Sequence, residues 1–306
     1  MLRFRSLTYF ALMSLIWGLT WAAIKFGLQD LPPLLLAAVR YLLTGVLLLP
    51  TLRSAPAAFA EGRWRRTLAS ALLVNTGTYS LLFWGMQSVP SGLAGLVNLA
   101  LVPVMLFAFA ALTGEERPTW RHAAALTIGI AGLAGLFWTR LGAEGTASGI
   151  GLLAIVVATA SYCAGSVVAR PLVGPVAPLA LTMVQAAIGG VTLLALSLGL
   201  EPITETTLQS LVTPTTLASI LFLSLLGTIV AFTLYLVLLR DWGSARAGLY
   251  AFVSPIVALA VGVWLFDETI GAPEVIGASL LLVAAGVALL RTGGQRAGEA
   301  PHGKAT

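Results

Sequence analysis

Residues 216–239, TLASILFLSLLGTIVAFTLYLVLL, run without a charge as far as Arg240. A helix needs about 20 apolar residues to cross the roughly 30 Å hydrocarbon core of a bilayer, and this stretch supplies them. Working outward, nine further runs of similar length, set off by charges, proline and glycine, fit the same template: 7–27, 32–52, 67–86, 91–113, 119–139, 149–170, 178–199, 244–266 and 272–291. Composition agrees, with 58% hydrophobic and 9% charged residues among 306 and a mean hydropathy of +0.95. Soluble domains carry about 25% charged residues, so a water-facing shell has no material here. The fold class read from the sequence is all-α integral membrane, with ten transmembrane helices. The two longer connections, 53–66 and 200–215, leave no room for a soluble domain.

The charges set an orientation. With the N-terminus inside, fourteen of the seventeen Lys and Arg residues face the cytoplasm, among them Arg3, Arg5, Arg53, Arg63, Arg65, Arg66, Arg170, Arg240 and Arg246. Arg140 alone faces outward, and Lys25 and Arg40 lie within spans. By the positive-inside rule both termini are cytoplasmic, in a multi-pass protein of the inner membrane. The net charge of +5 is scattered over short loops rather than gathered into a stripe, which excludes a nucleic-acid partner and leaves the lipid bilayer and a small molecule. The single cysteine, Cys163, permits no internal disulfide or Cys-rich metal site. The first apolar run exceeds the ~7–15 residues of a signal-peptide core and reads as a retained helix.

The two halves match. A shift of 145 residues places Trp17 over Tyr162, Lys25 over Arg170, Pro33 over Pro178, Arg40 over Gln185 and Gly45 over Gly190. A shift of 152 places Phe83 over Tyr235, Pro103 over Pro255, Glu115 over Asp267 and Glu116 over Glu268. The expected units are 1–141 and 146–291, each of five helices, followed by a short cytoplasmic tail, 292–306. Because five is odd, the second unit enters the membrane from the opposite side, giving inverted repeats with a substrate site between them near mid-membrane.

Trp17-Gly18 followed by Lys25, Pro32-Pro33 leading to Arg40-Tyr41, Pro103 and Pro255 in the fourth and ninth spans, and the acidic pairs Glu115-Glu116 and Asp267-Glu268 together resemble the drug/metabolite transporter superfamily, specifically its EamA-type ten-helix members. The resemblance covers about residues 7–291. It implies transport of a small metabolite: export of amino acids or related amphipathic compounds, or carriage of nucleotide sugars or organic phosphates. The repeat symmetry fails where Gln185 stands opposite Arg40.

Candidate site residues follow from the cost of polarity in lipid. Arg40 lies inside the second span, where a cation costs about 2.5–3.5 kcal/mol unless paired or hydrated. Its planar guanidinium suits a carboxylate or phosphate, and equally suits a packing role at helix carbonyls. Lys25 is close enough to the outer end of its span to snorkel to water. Asn98 and Gln185 must face protein or a wet cavity. Trp17 and Tyr162, at matched positions, face one another across the pseudo-two-fold axis. Trp21, Tyr79, Tyr235 and Tyr250 complete the aromatic candidates, with packing or an interfacial belt as the alternative. Pro103 and Pro255 each free a carbonyl and mark a hinge or kink beside the cavity. Every Asp and Glu falls at a helix end or in a loop, so no mid-depth proton relay is expected. The acidic pairs are expected to meet neighbouring basic groups at helix ends, with a gating role as the alternative.

Other functions lack their residues. An intramembrane enzyme needs a nucleophile with a base, or a metal cluster, and the two histidines, His122 and His302, lie at a span end and in the tail. A channel needs rings of like charge or repeated filter carbonyls, and neither occurs. No cofactor is expected. Gly129, Gly132 and Gly135 of span five, with Gly92 and Gly95 of span four, permit close helix approach, within a monomer or across a homodimer contact.

Overall fold

The computed structural model describes residues 2–86, 88–89, 91–115, 119–141, 149–266 and 271–289. Helix occupies each of the ten apolar stretches. In the first half these are α1 (Leu2–Asp30), α2 (Pro33–Leu47), α3 (Trp64–Ala71) continuing through a π-helical segment (Leu72–Gly77) into α4 (Thr78–Met86), α5 (Ser91–Leu112) and α6 (Trp120–Leu141). The second half has α7 (Gly149–Ala169), α8 (Pro178–Leu200), a short α9 (Glu205–Ser210), α10 (Pro214–Phe222) continuing through a second π-helical segment (Leu223–Val230) into α11 (Ala231–Trp242), a short α12 (Ser244–Ala247), α13 (Tyr250–Phe266) and α14 (Ala272–Leu289). Among the described residues four rods are each long and apolar enough to cross a bilayer: Phe4–Asp30, Gly149–Leu172, Pro178–Leu200 and Pro214–Trp242.

The second span departs from a straight 32–52. It ends at Leu47, and a 3-10 segment, Leu49–Ala58, turns away from it by 94°. Pro50 and Pro56 cannot donate the amide bonds an α-helix would require there. By contrast, α5 and α13 run on through Pro103 and Pro255.

Three helices start on proline at their first turn, Pro33, Pro178 and Pro214, where the missing amide has no intrahelical partner to lose. Acidic groups from the other half serve two of these starts. Glu201 accepts the amides of Leu34 and Leu35 at 2.7 and 2.9 Å, and Asp30 accepts the hydroxyl of Thr216 at 2.9 Å. Both place negative charge at a helix N-terminus, where the backbone dipole favours it.

The halves interlock. α2 crosses α8, and α6 runs along α14. The rod α3–α4 and α5 pack on α7 of the other half; reciprocally, the rod α10–α11 and α13 pack on α1. A Cβ added at Gly132 would come within 2.9 Å of the Gly277 carbonyl and 3.0 Å of the Leu281 amide, and one at Gly135 within 3.4 Å of the Gly277 Cα. These two glycines of span five bring α14 of the same chain to backbone contact, while Gly129 faces the Phe252 ring of α13.

Candidate functional site

Two buried clusters occupy the interlocked region. The first surrounds Arg40 on α2. Its Nη2 donates to the hydroxyls of Tyr41 and Tyr79, each at 3.0 Å, and its guanidinium carbon lies 4.5 and 4.8 Å from the two ring centres. Tyr79 meets Tyr41 and Phe83 edge to face. Arg40 is 8% exposed, and its Nε is buried without a hydrogen-bond partner. Among the described residues no carboxylate pairs with it. The site therefore holds a positive charge softened by two π faces and two phenols, with donors left over. Such a group can take a carboxylate or phosphate.

The second cluster is aromatic. Trp17 on α1 packs against Tyr250 at 4.4 Å and Tyr235 at 5.3 Å between ring centres, and Tyr162 lies 6.0 Å from Tyr235. Trp17 Nε1 donates to the Gly227 carbonyl at 3.0 Å. The hydroxyls of Tyr162 and Tyr235 are buried without partners. Trp17 and Tyr162 thus meet the same third ring, Tyr235, on α11.

The remaining candidates divide between these clusters and fixed interhelical bonds. Asn98 donates to Thr159 Oγ1 at 2.9 Å, joining α5 to α7. Gln185 is fully buried, donates to Ser70 Oγ at 2.7 Å, and leaves its Oε1 without a partner. Pro103 and Pro255 are buried within continuous helices. Helix therefore persists at both, and the interruptions of regular α-helix fall instead in the third and eighth spans. The side chains of Trp21 and Lys25 lie outside the described residues, as do Glu116, Asp267 and Glu268. Glu115 does meet a basic group, forming an ion pair with Arg170 at 3.0 Å.

Reading the sequence missed Tyr41 as a site residue and missed both π-helical segments. Each segment widens the helix and frees carbonyls, a feature frequent at functional sites. Asn75 in the first donates to the Gln185 carbonyl at 2.8 Å, and Ser224 in the second donates to the Arg40 carbonyl at 2.9 Å. Ser224 and Gly227 tie the second segment to both clusters at once. A signal existed: Asn75-Thr76-Gly77 and Gly227-Thr228 are small or polar residues inside apolar runs, and Thr76 falls over Thr228 at the 152-residue shift.

An all-helical bundle of two interlocked halves, with an aromatic cluster and a buried cation that no carboxylate among the described residues pairs, is an architecture suited to carrying small molecules. The chain belongs to the EamA-like transporter family, whose model matches it twice, at residues 5–138 and 149–291. It is 32% identical over 292 residues to YedA, an uncharacterized inner membrane transporter of Escherichia coli (strain K12), covering 92% of this chain and 91% of that one. It is 29% identical over 281 residues to a probable amino-acid metabolite efflux pump of Salmonella typhimurium, covering 89% and 90%. A crystal structure 19% identical in sequence superposes with a TM-score of 0.77 over 93% of this chain and 96% of that one, which shows the shared fold. The protein is a membrane-embedded transporter of a small-molecule substrate.

Proposed function

We propose that this transporter exports amino acids or related amphipathic metabolites across the inner membrane by alternating access, with Arg40 receiving the substrate carboxylate. The observation that carries this reading is the buried guanidinium of Arg40, held by two tyrosine hydroxyls and no carboxylate among the described residues. A cation at that depth is costly, and a substrate anion would offset the cost each time it binds. The amino-acid assignment leans on the likeness to the Salmonella relative, a probable amino-acid metabolite efflux pump. Organic phosphates and nucleotide sugars offer the same anionic chemistry and are the second reading.

In this reading all ten rods traverse the membrane as inverted repeats, 1–141 and 146–291, with both termini and the tail 292–306 cytoplasmic. The two halves rock about the α2–α8 crossing. Trp17, Tyr162, Tyr235 and Tyr250 line the path beside Arg40 and Tyr79, while Asn98 and Gln185 bond the helices behind it together. Pro103 and Pro255 act as hinges. The protein works as a monomer, a view supported by the packing of Gly132 and Gly135 of span five against α14 of the same chain.

The test is thermal stabilisation of the purified protein by amino acids, organic phosphates and nucleotide sugars, repeated with Arg40→Ala and Trp17→Ala. Ligand binding raises the midpoint by an amount set by concentration over affinity. Amino acids are expected to stabilise the parent and neither variant, and counterflow in reconstituted vesicles should then follow the same cargo. Stabilisation by phosphates or nucleotide sugars alone would overturn the cargo. Normal binding by Arg40→Ala would return Arg40 to a packing role.

A further inference from the structure

Glu115, just beyond α5, closes a knot with three helix ends of the other half. Its Oε2 pairs with Arg170 Nη1 at 3.0 Å and accepts the Ser244 hydroxyl at 2.9 Å, while Arg170 Nε donates to the Leu239 carbonyl at 3.1 Å. The Glu115 side chain is 13% exposed and that of Arg170 is 31%, so both would regain water readily on parting.

The helices tied by this knot are those that carry the aromatic cluster. Tyr162 and Ser166 precede Arg170 on one face of α7 at steps of four residues; Tyr235 lies one turn before Leu239 on α11, and Tyr250 follows Ser244 across the α12–α13 turn. Ser166 is 1% exposed and donates to the Tyr162 carbonyl at 2.8 Å, so it sits between the knot and the rings. Gly248 packs on Leu106 of α5 in the same layer.

We infer that Glu115 and Arg170 form a latch, braced by Ser244, that seals the end of the bundle nearest the N-terminus and must part for that end to open. The carboxylates at the opposite end differ. Glu201 and Asp30 accept backbone amides and threonine hydroxyls at helix starts, and among the described residues neither holds a cation. Those contacts finish a helix terminus. The Glu115–Arg170 pair instead joins two oppositely charged side chains at helix ends, and it can break without exposing unpaired backbone. The inference rests on the alternating-access reading but needs no substrate.

The test uses the full-length protein with Cys163→Ser and Ser166→Cys, in vesicles of known orientation, labelled by a membrane-impermeant maleimide from each face in turn. Glu115→Gln and Arg170→Gln are each expected to raise the labelling rate at position 166 at least fivefold from one face only. The paired reversal Glu115→Arg with Arg170→Glu should return it to the slow rate. Faster labelling from both faces would mean general loosening and would overturn the latch, as would unchanged labelling in both single variants. If the single variants fail to fold, a paired reversal that folds and labels as slowly as the parent supports the latch, and one that labels fast from either face overturns it. Absence of any substrate response in the parent would speak against the cargo and leave this result standing.

Discussion

Arg40 and Gln185 occupy matched positions on α2 and α8, and their backbones are treated alike. Each carbonyl accepts a side-chain bond from the π-helical segment of the opposite half, Ser224 on one side and Asn75 on the other. Their side chains are treated differently. Gln185 reaches Ser70 Oγ on α3, a bond between two neutral groups that holds helices together. Arg40 reaches two tyrosines and keeps its charge without a counter-ion among the described residues. The scaffold is two-fold and the chemistry is one-fold. An inverted repeat can exchange its conformations while binding its cargo through one half alone.

The sharpest way to break this comparison is Arg40→Gln, which gives both halves the same side chain. Charge-assisted bonds to a substrate carboxylate are worth about 3 kcal/mol, so substrate affinity should fall on the order of 100-fold. The melting midpoint without ligand should hold, because the other half already tolerates glutamine there. Equal affinity in parent and variant, measured by ligand-induced thermal shift, would remove Arg40 from the site. The complementary change, Gln185→Ala, should do the reverse. Losing its bond to Ser70, whose hydroxyl keeps its own bond to the Thr67 carbonyl, costs about 1 kcal/mol of stability, with the substrate-induced shift unchanged. A variant that melts like the parent and fails to bind would exchange the two roles.

The scaffold was largely legible in the sequence because lipid imposes one demand on every span, an uncharged run of fixed length, and proline, glycine and charge record the repeat. The expectation for span two failed where Pro50 and Pro56 turned its end, since hydropathy reports length and not direction. Arg40 stood out because burying a charge is expensive wherever it occurs. What surrounds it was not legible. Tyr41 is adjacent in sequence yet looks like ordinary apolar filling until Tyr79, thirty-nine residues away, arrives beside the same nitrogen. The π-helical segments leave no hydropathy signature, because widening a helix by one residue preserves its composition. Their polar residues were visible as types, and only the packing of α3–α4 on α7 and of α10–α11 on α1 gave them partners.

Tyr79→Phe sharpens the comparison further. It keeps the ring that meets Phe83 edge to face and faces the guanidinium, and removes the hydroxyl that accepts from Nη2. If that phenol orients Arg40 for the substrate, affinity should fall about fivefold, the worth of one hydrogen bond of about 1 kcal/mol. Isothermal titration with the substrate that stabilises the parent reads this directly, and a loss matching Arg40→Gln would mean that the tyrosine contacts the substrate itself.

The smallest effect tests the part of the comparison that looks symmetric. Ser224→Ala and Asn75→Ala each delete one bond from a π-helical segment to a carbonyl of the opposite half, at Arg40 and Gln185 respectively. Interhelical bonds in membranes average about 0.6 kcal/mol, so both variants should lose similar, small amounts of stability. Their consequences for binding should separate. The Ser224 bond fixes the backbone from which Arg40 projects, and freeing it should lower affinity about two- to threefold, the equivalent of those few tenths of a kcal/mol. The Asn75 bond fixes the backbone of a residue that only packs, and freeing it should leave affinity where it was. If both variants bind alike, the π-helical segments serve the scaffold equally in the two halves, and the one-fold chemistry is confined to the side chains of Arg40, Tyr41 and Tyr79.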